Sequence, residues 1–126
     1  METTAKAYDI KQRTYRYALD VIKFLDELPK DYVTQTMGKQ LLRSATSVGA
    51  NIIEARASSS KRDFTNFYTH SLKSANESGF WLGLLQDAGK AEGRQIKPLL
   101  EETGELANIL AASILTMKGK RRQSGF

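Results

Sequence analysis

The stretch Thr46 to Ala55, TSVGANIIEA, decides the fold. Val48, Ile52 and Ala55 recur at intervals of four and three, the spacing of one helix face, and Leu41 and Ala45 extend that stripe backwards. Gly49 interrupts the run, at roughly 1 kcal/mol of helix propensity relative to Ala. Arg43, Ser47, Asn51 and Glu54 gather on another face as a polar stripe. Two readings compete: a polar active site, or a packed helix in which glycine permits close approach.

The flanking sequence favours packing. Only two prolines occur, Pro29 and Pro98, and apolar residues keep helical spacing through almost the whole chain with no strand-like alternation. The pattern predicts helices over about residues 5–28, 34–57, 61–88 and 95–118. Pro29 disfavours helix at the residue before it, Ser60 is the expected cap of the third helix with Asp63 three residues on, and Pro98 falls in the first turn of the fourth. If the second and third helices form an antiparallel hairpin, facing residues share a constant sum of residue numbers. Leu41/Ala75, Ala45/Ser71, Val48/Tyr68 and Ile52/Phe64 all give 116. The same test joins third to fourth through Ala75/Leu106, Ser71/Leu110, Tyr68/Ser113 and Phe64/Met117, and first to second through Ile22/Leu41, Ala18/Ala45, Tyr15/Val48 and Tyr8/Ala55.

The expected fold class is therefore all-α: an antiparallel up-down-up-down four-helix bundle over residues 1–118, followed by a basic C-terminal tail over 119–126. Ala45, Gly49, Ala50, Ser71 and Ala75 would bring the second and third helices close together. Apolar residues left outside these stripes, Tyr17, Val21 and Phe24 with Phe67 and Trp81, are expected to form an oligomer interface.

Composition narrows the chemistry. At 126 residues and 40% hydrophobic the chain suits one domain with a continuous core, and the absence of cysteine excludes disulfides, Cys-containing zinc sites and thiol nucleophiles. The single histidine, His70, lacks the partners that a metal site or a triad requires, so no metal and no cofactor are expected. Glu54 and Glu77 form no hydrolytic pair, because the register sets them roughly 22 Å apart at 1.5 Å rise per residue. No catalytic residue is expected. The longest nearly apolar run, LANILAASIL, is too short to span a bilayer, and the expected location is cytoplasmic, without a membrane partner.

The segment QLLRSATSVGANIIEARASSSKRDF with the following YTHSLKSANES, Gln40 to Ser78, resembles the four-helix-bundle proteins of the 23S rRNA intervening-sequence family, whose pattern is roughly LRRA-SIPANIAEG…SKKEF…ALGSL-E. The likeness is carried by Leu42, Arg43, Ala45, Ser47, Ala50, Asn51, Ile52, Glu54, Ser60, Lys61, Phe64, Leu72, Ser74 and Glu77. Val48-Gly49 replaces a frequent Ile-Pro, and Ala55 a frequent Gly. The resemblance implies a ring-like homopentamer of up-down-up-down bundles without known enzymatic activity. It extends to the accessory variability protein of diversity-generating retroelements, a basic pentamer that binds nucleic acid and a reverse transcriptase. Self-association is thus implied, with RNA or DNA and a protein as possible partners.

The formal charge of +5 has a place in this bundle. An antiparallel arrangement collects Lys6, Lys11, Arg56, Lys61, Arg62, Lys118, Lys120, Arg121 and Arg122 at one end, against Glu2, Asp9, Glu54 and Asp63. That excess equals the formal charge of the whole chain. Arg56, Lys61, Arg62, Lys118, Lys120, Arg121 and Arg122 are the expected nucleic-acid contacts, suited to phosphate backbones and salt-dependent in action. The leading expectation is a non-enzymatic homo-oligomer binding nucleic acid, structured RNA favoured, through this end. The alternative is a protein-interaction scaffold whose charge serves solubility.

Overall fold

A computed structural model describes residues 10–124, with side chains through residue 119. Four helices follow in order: α1 (Ile10–Asp26), α2 (Tyr32–Ala57), α3 (Lys61–Asp87) and α4 (Gly93–Ser124). Each packs on its neighbours in sequence, α2 against α3 most extensively, and α4 closes the bundle sparingly against α1. This is the antiparallel four-helix bundle that the apolar spacing predicts.

Local chemistry sets the helix ends. Asp31 caps α2 by accepting from the Thr34 backbone N–H at 3.0 Å, which starts the helix two residues before the expected Thr34. That hydrogen bond, with a second from the Thr34 hydroxyl, holds the Asp31 carboxyl below its usual range. Ser60 caps α3 through the Asp63 N–H at 3.1 Å. Gly89 ends α3 with φ at 73°, while the Lys90 N–H reaches the Leu85 carbonyl at 2.9 Å. This left-handed turn disfavours any side chain and reverses the chain into α4. Pro98 lies inside α4, not in its first turn, because the helix begins at Gly93. Its missing N–H costs one rung at an exposed position. The helix also continues to Ser124, so Lys120, Arg121 and Arg122 belong to its last turns, although their side chains lie outside the described residues.

Leu41, Ala45, Val48, Ile52 and Ala55 of α2 are all buried, as are Tyr68, Ser71, Ala75, Ser78, Leu82 and Leu85 of α3 and Ile96, Leu99, Thr103, Leu106 and Leu110 of α4. These stripes match the sequence expectation. The α3–α4 register does too, to within one residue, since a Cβ at Gly79 would stand 3.7 Å from Thr103 and the Thr65 hydroxyl meets Met117 Sδ at 3.6 Å. The α2–α3 register does not, because the Ser71 hydroxyl donates to the Val48 carbonyl and Ser44 bonds Ser78, pairs that sum to 119 and 122 where 116 is expected.

Helix α1 differs. Its core face is Ile10, Thr14, Tyr17, Val21 and Phe24, continued by Leu28, whereas Tyr15 and Ile22, expected in core layers, are 69% and 38% exposed. The height was right, because Thr14 faces Gly49 and Leu25 faces Gly38, pairs that share the sum 63 expected for the first two helices. Only the rotation about the helix axis differs from the expectation. Tyr17, Val21 and Phe24, expected at an oligomer interface, are instead buried within the bundle and cannot form one. Phe67 and Trp81 are half-buried and pack against the same core.

Gly49 also serves a different neighbour from the expected one. A Cβ there would stand 3.1 Å from the Thr14 hydroxyl and 3.3 Å from Thr14 Cβ, so the glycine admits α1, not α3. Ala50 is exposed.

A polar layer crosses the core. Thr103 donates to the Leu99 carbonyl at 2.6 Å, which leaves its oxygen to accept from Tyr17 at 2.6 Å. Ser44 and Ser78 bond at 2.9 Å beside them. One residue from each helix thus meets at one height, and burial raises the Tyr17 pKa despite these hydroxyls. Next to the layer, Arg13 bridges α1 to α4 by pairing with Glu102 at 2.6 Å and Glu105 at 3.5 Å. The Glu102 hydrogen bond raises the guanidinium pKa further.

Candidate nucleic-acid interface and apolar groove

Two surfaces stand out, a basic end and an apolar groove. The end is built by the last turn of α2, the Ser58–Ser60 turn, the first turn of α3 and the last described turns of α4. Arg56, Lys61, Arg62 and Lys118 are all exposed there, and no ion pair among the described residues engages any of them. The chain reversal at Ser58, where the hydroxyl donates to the Ala55 carbonyl at 2.6 Å, brings Arg56 within a few residues of Lys61 and Arg62. The Thr65–Met117 contact fixes the α4 side of the cluster. Asp63 is the acidic residue nearest to it, placed in the first turn of α3 where the helix dipole favours a carboxylate. Four free cations on one end make a surface that attracts phosphate without specifying sequence.

The polar stripe of α2 resolves into local hydrogen bonds and one bridge. The Ser47 hydroxyl donates to the Arg43 carbonyl at 2.7 Å, and Asn51 Nδ2 to the Ser47 carbonyl at 2.8 Å. Arg43 spans to Glu77 of α3, whose carboxylate also accepts from Trp81 Nε1 at 2.9 Å. The Trp81 bond, aided by Arg43, lowers the Glu77 pKa. Glu54 is exposed and has no ion pair among the described residues. Trp81 is thereby tied into the α2–α3 seam. The stripe lies outside the groove between α1 and α2, so Asn51 and Glu54 do not line it.

That groove, of about 730 Å³, runs along the α1–α2 seam. Tyr15, Ala18, Leu19 and Ile22 of α1 and Thr46, Gly49, Ala50 and Ile53 of α2 line it, with Lys11 and Arg16 at the rim. It is the face that α1 turns outward because Tyr17 and Val21 turn inward. The sequence carried a signal for this. The Tyr17 stripe runs unbroken from Ile10 to Leu28, whereas the Tyr15 stripe meets Lys11 at one end and Asp26 at the other.

A family model described as "23S rRNA-intervening sequence protein" matches residues 6–112. The chain belongs to that family. It is also similar to a protein of unknown function from the S23 ribosomal protein family of Bacteroides thetaiotaomicron VPI-5482, known from a crystal structure. The TM-score is 0.80 at 32% identity, over 86% of this chain and 97% of that one. No curated protein matches. Among the described residues of this family member, no helix is long and apolar enough to cross a membrane, and no group of three potential metal ligands comes together.

Proposed function

We propose that this family member is a non-enzymatic, cytoplasmic homo-oligomer, a pentamer by the family resemblance, that binds nucleic acid through its basic end, with structured RNA as the favoured ligand. The observation that carries the reading is the gathering of exposed, unpaired Arg56, Lys61, Arg62 and Lys118 at one end of the bundle. Helix α4 also carries Lys120, Arg121 and Arg122 beyond that end. A ring with every subunit pointing the same way repeats this patch on one face, so that several weak phosphate contacts act together. The α1–α2 groove supplies the apolar surface for assembly in place of Tyr17, Val21 and Phe24. That groove also favours a second reading, a scaffold that binds a partner protein and uses its charge for solubility.

Fluorescence anisotropy of labelled structured RNA, single-stranded RNA and duplex DNA at about 50 and about 200 mM salt separates the two, because backbone binding falls steeply over that range. Salt-sensitive binding that Arg62→Ala with Lys118→Ala weakens, and that truncation after Met117 abolishes, is the expected result. Absence of binding by the intact oligomer at the lower salt overturns the nucleic-acid reading and leaves the scaffold.

A further inference from the structure

Two tyrosines are buried among the described residues, and the bundle treats their hydroxyls differently. Tyr17 is 1% exposed and bonds Thr103 at 2.6 Å. Tyr68 is 8% exposed, with its ring stacked on Phe64 at 4.8 Å, yet its hydroxyl has no hydrogen-bond partner among the described residues. A buried tyrosine ordinarily satisfies its hydroxyl. The Tyr68 oxygen is not sealed in the core either, since Arg13 Nη1 is the buried side-chain polar atom that lacks a partner among the described residues. The ring is therefore inside and the hydroxyl at the surface, open to a group from outside.

Long side chains of a helix lean toward its N-terminus, and α3 begins at the basic end with Lys61. Tyr68 thus aims its hydroxyl at that end, about one turn beyond its own Cα. The bond from Ser71 to Val48 and the bond between Ser44 and Ser78 set Tyr68 level with residues 51–54 of α2. One turn nearer the end, the hydroxyl comes level with the last turn of α2, where Arg56 stands exposed. Burial raises the Tyr68 pKa and the Arg56 charge draws it part of the way back, so the guanidinium and the phenol are electrostatic neighbours. The phenol is protonated at neutral pH and can donate.

Resting on the nucleic-acid reading above, we propose that the Tyr68 hydroxyl and the Arg56 guanidinium together hold one backbone phosphate, the hydroxyl donating to one non-bridging oxygen and the guanidinium to the other. Burial and the Phe64 ring fix the phenol before the ligand arrives, whereas Arg56, Lys61, Arg62 and Lys118 are long and solvated. A preorganised donor adds affinity without loss of side-chain freedom on binding, and a tyrosine hydroxyl is a regular phosphate ligand. It gives a diffuse cationic patch a defined position for one phosphate.

Tyr68→Phe separates this role from a structural one. The substitution deletes an oxygen that no described residue uses, so the urea midpoint is expected to stay at the parent value. Fluorescence anisotropy with a labelled RNA hairpin and with a DNA hairpin of the same sequence is expected to show about tenfold weaker binding of both, the loss of one hydrogen bond to a charged group. The slope of log affinity against log salt is expected to be unchanged in Tyr68→Phe, which removes no charge, and shallower in Arg56→Ala, which does. In the Arg56→Ala background Tyr68→Phe is expected to cost less than in the parent, because the two side chains share a phosphate. Parent-like binding by Tyr68→Phe beside weakened binding by Arg56→Ala overturns the phosphate contact and leaves the basic end as a nucleic-acid surface. Affinity and stability lost together assign the hydroxyl to the fold, and an effect confined to RNA assigns it to a 2′-hydroxyl; each overturns the phosphate contact. Absence of binding of either hairpin by the parent protein at low salt overturns the nucleic-acid reading as well.

Discussion

Helices α2 and α1 meet along one seam yet stand in different relation to their sequences. In α2 the stripe Leu41 to Ala55 is buried along its whole length, and the apolar residues outside it, Leu42 and Ile53, are isolated among Arg43, Ser47, Asn51 and Glu54, so one face outcompetes the rest. Helix α1 carries two apolar stripes a few residues apart, and packing takes one while the other faces solvent beside the groove. The difference teaches that opposed residue numbers can set the height of α1 against α2 without setting its rotation, and between α2 and α3 even the height shifts, since Val48 meets Ser71 and Ser44 meets Ser78. Thr14/Gly49 and Leu25/Gly38 satisfy the expected sum while Tyr15 points outward. Rotation is decided by the whole length of a stripe and by small side chains such as Gly49 that admit one face and not the other.

The sharpest way to break the comparison is to truncate neighbours. Ile52→Ala removes a fully buried side chain and is expected to cost about 2–5 kcal/mol, whereas Ile53→Ala, 46% exposed in the groove, is expected to leave the stability of the isolated subunit within about 0.5 kcal/mol. Urea unfolding of both variants checks this. Equal losses would mean that the groove is closed within one subunit. A smaller effect is expected from Gly49→Val, which overpacks the seam against Thr14 and costs about 1–3 kcal/mol. A neutral outcome would show that α1 can move away from α2.

The polar layer tests the seam that closes the bundle. Tyr17→Phe removes one buried hydrogen bond while Thr103 keeps its bond to Leu99, and about 1 kcal/mol is the expected loss in the same denaturation experiment. The smallest effect is on pH. Asp31 and Glu77 have folded pKa values below their unfolded ones, through the Thr34 and the Trp81 hydrogen bonds respectively. Their contribution is fully present above the ordinary carboxylate range and is lost as pH falls through the lowered folded values. Midpoint measurements from neutral to acid pH should show a shallower decline in Asp31→Asn and Glu77→Gln than in the parent.

The all-α class and the faces of α2, α3 and α4 were legible because each of those helices has one dominant apolar stripe. So was the basic end, since antiparallel topology places Arg56, Lys61, Arg62 and Lys118 together once the helices are known. The groove was not, because it depends on the choice between the two α1 stripes. The polar layer was hidden for another reason. Tyr17, Ser44, Ser78 and Thr103 look unremarkable in sequence, and only assembly makes their hydroxyls partners. Gly49 reads as packing in both views, with α1 and not α3 as the helix it admits.

The rotation of α1 decides which residues enter the core and which line the groove, and adjacent charges test it most directly. Helical content and native mass are measured together for Val21→Asp and Ile22→Asp, since Val21 is fully buried and Ile22 lines the groove. The expected result is that Val21→Asp loses the fold, while Ile22→Asp keeps its helical signal and dissociates to monomers. A folded, assembled Val21→Asp beside an unfolded Ile22→Asp would show that α1 packs through the other face.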